Sequence, residues 1–158
     1  MNLLLVIDFQ NEFINKQTEN SVEELTNLIN SNKYENIVFT RFINSKDNPC
    51  YKAGWTGCLD EDSIKIPIDT KDYTILDKST YTAFNEELIN YIKDHNIEKI
   101  FIAGFDIDCC VLATAFNLFE NDYNTYILKD YVYSCLNDNI KDFTIDILER
   151  CIGKDHVI

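Results

Sequence analysis

The chain has 158 residues, 46% of them hydrophobic and 13% aromatic, which is enough for one packed core and too short for two catalytic domains. Its 14 basic and 27 acidic residues give a net charge of −13, which disfavours binding to nucleic acid or to an anionic membrane. No apolar stretch approaches the roughly 18 residues of a membrane span, and the first apolar run stops at Asp8, too early for a signal peptide. Six cysteines without a C-x-x-C pair are typical of reduced thiols, so we expect a cytoplasmic protein.

Five short apolar runs predict the strands of this chain. They lie at residues 3–7, 37–39, 73–76, 99–103 and 125–128. None alternates apolar and polar residues as a half-exposed strand does. Each is therefore typical of a strand that is buried on both faces, as in a parallel sheet.

Helical patterns lie between these runs. Ser21 and Glu24 have the spacing of a capping box, which predicts a helix that begins with Ser21 as its cap. Apolar residues recur at helical intervals within 82–95, 110–121 and 138–151. The alternation predicts an α/β fold: a three-layer α/β/α sandwich with a mainly parallel, Rossmann-like sheet of five or six strands. We expect a single domain over residues 1–158.

One stretch does not follow this alternation. Residues 44–72 contain both prolines and the only tryptophan, Trp55. Because a long connection in a compact domain is often an active-site loop or lid, we expect this segment to lie near a functional site.

Three polar side chains fall at or just beyond the carboxyl ends of predicted strands. Asp8 follows the first strand, Lys78 the third, and Cys110 lies just beyond the fourth. Each residue taken alone has an ordinary structural explanation: Asp8 as a cap or turn residue, Lys78 as a solvated side chain and Cys110 as a small core residue. Because all three fall at the same edge of the predicted sheet, where ligands bind, we expect them to act in one reaction. A helix start and an ammonium would lower the pKa of the thiol, and a carboxylate would move its proton.

Three segments also match the motifs of a known family. Residues 8–13 (Asp-Phe-Gln-Asn-Glu-Phe) fit D-x-Q-x-x-F, and residues 78–84 (Lys-Ser-Thr-Tyr-Thr-Ala-Phe) fit a lysine followed by a Tyr-Ser-Ala-Phe-like segment. Residues 104–115 (Gly-Phe-Asp-Ile-Asp-Cys-Cys-Val-Leu-Ala-Thr-Ala) are similar to G-x-x-T-D-x-C-V-x-x-T-A. In these motifs and their order the chain resembles the isochorismatase-like cysteine hydrolases over essentially its whole length.

The resemblance implies roles for individual residues. It implies a catalytic triad of Asp8, Lys78 and Cys110, and an oxyanion hole made by the backbone N–H groups of Asp106 and Cys110. It also implies a cis peptide bond between Phe105 and Asp106. Two positions depart from the family pattern: Ile107 stands where the signature has Thr, and a second cysteine, Cys109, precedes the nucleophile. Cys109 is open to two interpretations, as a packing residue or as a redox partner.

Four further residues are candidates for the substrate pocket: Gln10, Phe13, Trp55 and Tyr81. Aromatic walls exclude water and stack on planar amides. Trp55 could equally be a packing aromatic or an interface anchor, so its assignment stays open.

The sequence argues against a metal. The nicotinamidase branch of the family carries Asp-x-His and further histidines after the second strand. Here residues 41–47 contain no histidine, and the only histidines of the chain are His95 and His156. We therefore expect neither a metal site nor another cofactor.

These patterns favour a cysteine hydrolase that cleaves a C–N bond of a small amide or carbamoyl compound through a thioester. Vinyl-ether hydrolysis of the isochorismatase type is the first alternative, although that branch generally lacks the cysteine. The second alternative is a nonenzymatic α/β binding module of the response-regulator kind, which would need an acidic pair after the first strand. We expect a small-molecule partner and a homo-oligomer.

Overall fold

The computed structural model describes all residues from 1 to 158 and has a five-stranded, all-parallel sheet at its centre. The strand order is β3-β2-β1-β4-β5, which confirms the predicted Rossmann-like α/β class. The strands are β1 (Asn2–Ile7), β2 (Asn36–Phe42), β3 (Thr74–Lys78), β4 (Lys99–Gly104) and β5 (Thr125–Val132).

Strand β1 is the middle of the sheet and is buried on both faces, as its uninterrupted apolar run predicted. Leu3, Leu5 and Ile7 point into the core on one side, and Leu4 and Val6 into the core on the other. This division follows from the two-residue period of a strand. Both faces of the sheet are therefore hydrophobic, and each face needs a layer of helices to cover it.

Helices cover both layers and complete the sandwich. The helices are α1 (Ser21–Ile29), α2 (Pro49–Lys52), α3 (Glu86–Asp94), α4 (Leu112–Glu120) and α5 (Asp138–Ile152). Helix α1 packs on one face of the sheet together with part of the long connection, while α3, α4 and α5 pack on the other. None of these helices combines the length and apolarity needed to cross a membrane.

Asparagine side chains cap three of these helices at the amino end. Asn48, Asn85 and Asn137 each accept a hydrogen bond from a first-turn N–H group of α2, α3 and α5, respectively. The predicted capping box at Ser21 was wrong. Ser21 lies inside α1 with its hydroxyl buried and unpaired, because backbone carbonyl groups of the preceding turn, including that of Glu19, accept the free N–H groups instead.

The strand order places the reversal of the chain between β1 and β4. Three strands run outward from β1 to β3, and the chain then returns to place β4 on the other side of β1. In open α/β sheets ligands bind beyond the carboxyl ends of the strands at such a reversal. Asp8 follows β1 there, and a π-helical turn at Ile107–Val111 follows β4.

Gly104 brings these two strand ends together. It has φ of +108°, and a Cβ atom at this position would collide with the carbonyl oxygen of Ile7. Phe105 N–H donates to that same oxygen at 2.8 Å. The predicted cis peptide bond after Phe105 was wrong, because every peptide bond is trans and the positive φ of Gly104 makes the turn instead.

We predict that Gly104→Ala destabilises the protein by at least about 2 kcal/mol, because it adds a backbone collision to the strain of a positive φ. Gly54→Ala is the matched control, since Gly54 has φ of +102° but open space around a Cβ atom. Urea unfolding of both variants measures the difference. Equal losses of stability in the two variants would contradict the close approach of β1 and β4.

Candidate active site

Asp8 is the first residue beyond β1 and is held in an unusual backbone conformation. Its φ is +46°, a left-handed value that few residues other than glycine adopt, and it has no exposed surface. Thr40 on β2 fixes it twice: the Thr40 hydroxyl donates to Asp8 Oδ1 at 2.7 Å and accepts from Asp8 N–H at 3.1 Å. The second oxygen, Oδ2, is thereby left for another partner.

That partner is Lys78, the last residue of β3. Its Nζ lies 2.7 Å from Asp8 Oδ2, although β3 is two strands away from β1. The ammonium also donates to the carbonyl oxygens of Thr80 at 2.9 Å and Tyr81 at 3.2 Å, and lies 4.9 Å from the centre of the Phe42 ring. These contacts fix the charge of Lys78 in one place.

Cys110 completes the cluster from the opposite side of β1. Its Sγ lies 3.5 Å from Lys78 Nζ, and the residue is 6% exposed. The π-helical turn that contains it begins two residues after Phe105, so the turn at Gly104 aims this thiol back over the end of the sheet. The structure thus brings the three predicted side chains into contact, although they lie on three separate segments.

The protonation of Cys110 differs from the expectation. Burial raises the pKa of this thiol well above its ordinary value, and the Asp8 charge raises it further, while Lys78 lowers it. The ammonium and the carboxylate form a neutral pair, so the desolvation of a thiolate dominates. The direction of this shift is opposite to the lowered pKa that the sequence suggested, because burial and the Asp8 charge together outweigh the effect of Lys78.

Lys78 keeps its proton in this environment. Burial lowers its pKa, but the Asp8 carboxylate and the Cys110 sulfur beside the ammonium outweigh burial, and the net shift is upward. The cluster therefore contains one fixed cation beside a carboxylate and a thiol.

The turn before Cys110 leaves a backbone donor free. Asp106 N–H has no acceptor in the chain, whereas Ile107 N–H donates to the carbonyl oxygen of Tyr133 at 2.8 Å. The side chain of Ile107 is fully buried in the core, which explains how an apolar residue stands where the family signature has Thr. Asp106 N–H is thus available at the place where an oxyanion hole is expected.

A cavity of about 250 Å³ opens onto Cys110. Its lining residues are Phe13, Phe42, Trp55, Tyr81, Asp106, Cys109 and Cys110. Three of the four pocket residues that the sequence suggested are among them. Phe42, Asp106 and Cys109 were not assigned to the wall, because their strand or turn positions carried no pocket signal in the sequence.

Gln10 was wrongly placed in the pocket. It is fully buried, and its side chain accepts from Phe42 N–H at 2.7 Å and donates to the carbonyl oxygens of Phe42 at 3.0 Å and Ile64 at 3.2 Å. A buried amide needs such partners, and they lie between β2 and the long connection. Gln10 therefore joins those two segments.

The long connection supplies one wall of the cavity, as its position suggested. The Trp55 ring stacks on Phe13 with ring centres 6.2 Å apart and meets the edge of Phe42 at 5.5 Å. Asn44, which is buried, donates to the carbonyl oxygens of Trp55 at 3.2 Å and Gly57 at 2.9 Å. Asn44 thus positions the loop, a function that the sequence did not indicate.

The residues present do not fit a metal. His95 Nδ1 lies 2.9 Å from the carbonyl oxygen of Tyr91, and His156 Nδ1 lies 2.7 Å from that of Thr125, both away from the cavity. No group of three or more His, Cys, Asp or Glu side chains is arranged to hold an ion. The zinc-type site of the nicotinamidase branch therefore has no counterpart in these side chains.

We predict that Asp8→Asn makes Cys110 react faster with iodoacetamide near neutral pH. The Asp8 charge raises the pKa of Cys110 and the Lys78 charge lowers it, so removing the carboxylate leaves the ammonium to favour the thiolate. A fall of one pKa unit gives about a tenfold increase in rate. Peptide mapping after brief labelling measures it.

Exposed Cys151 is the internal control and should label at the same rate in both proteins. Lys78→Met should slow the labelling of Cys110. If Cys110 is labelled no faster in Asp8→Asn than in the native chain, the charges of Asp8 and Lys78 do not set the pKa of this thiol.

Comparison with known proteins identifies the family. The isochorismatase domain profile matches residues 2–154. Isochorismatase family protein 1A of Dictyostelium discoideum is 26% identical over 145 residues, which cover 87% of this chain and 66% of that protein. The chain thus spans slightly less than two thirds of the length of the curated relatives that it matches first.

Solved structures share the fold at low identity. Nicotinamidase from Bacillus subtilis has a TM-score of 0.83 at 20% identity, covering 99% of this chain and 98% of that one. N-carbamoylsarcosine amidase from Thermoplasma acidophilum has a TM-score of 0.80 at 22% identity, covering 96% and 92%. With a matching family profile over nearly its whole length, the chain belongs to the isochorismatase-like hydrolase family.

Proposed function

We propose that this protein is a cysteine amidohydrolase that cleaves the C–N bond of a small amide or carbamoyl compound. The observation that carries the proposal is the position of Lys78 Nζ, 2.7 Å from Asp8 Oδ2 and 3.5 Å from Cys110 Sγ, beside an apolar cavity. This arrangement joins a nucleophile, a base and a fixed cation, which acyl transfer to a thiol requires.

The first step starts from the neutral thiol. Cys110 Sγ attacks the carbonyl carbon while its proton passes to Asp8 Oδ2, an oxygen that accepts no other hydrogen bond than its contact with Lys78. The carbonyl π-electrons move to oxygen and give a tetrahedral intermediate. The N–H groups of Asp106 and Cys110 stabilise its negative oxygen.

The second step breaks the C–N bond. The oxyanion collapses, the proton on Asp8 passes to the leaving nitrogen, and ammonia or an amine departs. Cys110 then carries the acyl group as a thioester. Asp8, again a carboxylate, takes a proton from water as the water attacks the thioester, and returns that proton to the departing sulfur.

Lys78 acts through its charge in each step. Its raised pKa keeps it protonated, so it stabilises whichever of Asp8 and Cys110 carries the negative charge. Because its other donors go to the carbonyl oxygens of Thr80 and Tyr81, it stays in place as the proton moves. We assign it a positioning and electrostatic role.

The geometry favours this reaction over the alternatives. Vinyl-ether hydrolysis requires a proton donor but no nucleophilic thiol, whereas this site holds a thiol beside a base and a cation. A binding module has no need of a buried ion pair at the base of its cavity, since such a pair costs desolvation. The two structural neighbours named above are both amidases by name.

We predict that the native chain releases ammonia from at least one compound in a panel of small amides and carbamoyl compounds, and that Cys110→Ala lowers kcat/KM roughly 1000-fold or more. Asp8→Asn should cost a similar factor although its thiol ionises more readily, because the leaving nitrogen then has no proton donor, and the double variant should lose little more. Exposed Cys151→Ala is the control and should behave as the native chain. Residual turnover in Cys110→Ala near the native level would rule out the thioester route.

We also predict that chelators do not change this activity, because the cavity residues include no set of metal ligands. Dialysis against EDTA followed by the ammonia assay measures the effect. Loss of activity on dialysis with recovery on adding zinc, iron or manganese would overturn the proposed metal-free mechanism.

A further inference from the structure

One charged side chain lines the cavity beside the aromatic walls. Asp106 is the only charged residue among the seven that line it, and the others are aromatic residues and cysteines. Its Oδ1 accepts a hydrogen bond from Cys135 N–H at 2.8 Å. No backbone N–H group donates to its Oδ2, and the residue is only partly buried.

No cation of the chain pairs with this carboxyl group. The ion pairs of the structure join other residues, and the Lys78 ammonium is already committed to Asp8. Burial raises the pKa of Asp106, and the neighbouring charges of Asp108 and Asp8 raise it as well, although its hydrogen bonds with Cys135 oppose them. A carboxylate in such a place is stabilised by a positive charge brought by a ligand.

The rest of the wall suits a cation too. Phe13 and Trp55 lie nearly parallel, and aromatic faces attract ammonium groups. The net charge of −13 raises the concentration of cations near the surface. The carboxylate, the aromatic faces and the overall negative charge therefore all favour a cationic ligand.

We propose that Asp106 is a specificity-determining residue, and that the substrate is a small amide or carbamoyl compound that carries a protonated nitrogen. This inference rests on the proposed amidohydrolase function. The same residue offers a backbone N–H to the oxyanion and a carboxylate to the cation, so the charged nitrogen lies within a few bonds of the scissile carbonyl carbon.

A neutral substrate of the same size binds less well at this site. It removes water from Asp106 Oδ2 and supplies no partner in return, which leaves a polar group desolvated. Discrimination therefore comes from the unpaired carboxyl group as well as from the new ion pair.

The test compares two substrates of equal size in native and variant proteins. β-Alaninamide carries the ammonium, and butanamide replaces it with a methyl group. We expect the native chain to prefer β-alaninamide by at least about tenfold in kcat/KM, and Asp106→Asn to reduce that preference by at least about tenfold. The loss should appear mainly as a higher KM for β-alaninamide.

Asn at position 106 still accepts the hydrogen bond from Cys135 N–H, so the variant keeps the turn. Asp146→Asn is the matched control: it removes the same charge from an exposed position on α5, and it should keep the native preference. If Asp106→Asn lowers turnover of both substrates equally, Asp106 only shapes the turn and the inference is overturned. A native protein that shows no preference for the ammonium also overturns it.

Binding measurements separate this inference from the proposed function. In Cys110→Ala, calorimetry should show tighter binding of β-alaninamide than of butanamide, with the difference lost on adding Asp106→Asn. Binding of this kind without hydrolysis by the native chain would overturn the amidohydrolase function and support the cation site. Hydrolysis without any preference for β-alaninamide would support the function and overturn the cation site.

Discussion

Asp8 and Lys78 form an ion pair that has almost no contact with solvent, with side-chain exposures of 0% and 2%. Removing two charges from water is costly, and the cost is offset only where both groups are fully partnered. Thr40 holds the carboxylate, and the carbonyl oxygens of Thr80 and Tyr81 hold the ammonium. The ion pair therefore fixes the carboxyl ends of β1, β2 and β3 relative to one another. The position of Cys110 and of the cavity walls at this edge of the sheet depends on it.

The pair also governs the thiol. Since its two charges nearly cancel, Cys110 experiences mainly burial, and the upward shift of its pKa follows. In the proposed mechanism the nucleophile is accordingly generated when the thiol proton moves to Asp8 during attack. A thiol with a raised pKa is less reactive toward oxidants and alkylating agents, because the thiolate is the reactive form.

Much of the fold was predictable from the sequence, because strands buried on both faces need continuous apolar runs. All five runs became strands, and the alternation with helices gave the correct class. Errors arose where a local pattern competed with a neighbouring segment. Ser21 had the spacing of a capping box, but the preceding turn supplied the acceptors. Strand β5 extends to Val132 because its polar residues Lys129 and Asp130 face solvent, which a search for apolar runs does not detect.

The sequence by itself determined the α/β class, the family motifs and the choice of Asp8, Lys78 and Cys110, since residue type and position at strand ends are local properties. Tertiary structure alone decided how they interact. Only the strand order brings Lys78 across β2 to Asp8, and only burial reverses the expected pKa shift of Cys110. Tertiary contacts likewise assigned Gln10 to packing and Asp106 to the cavity wall. The physical reason is that distance, burial and local dielectric depend on segments far apart in the chain, and short motifs contain no information about them.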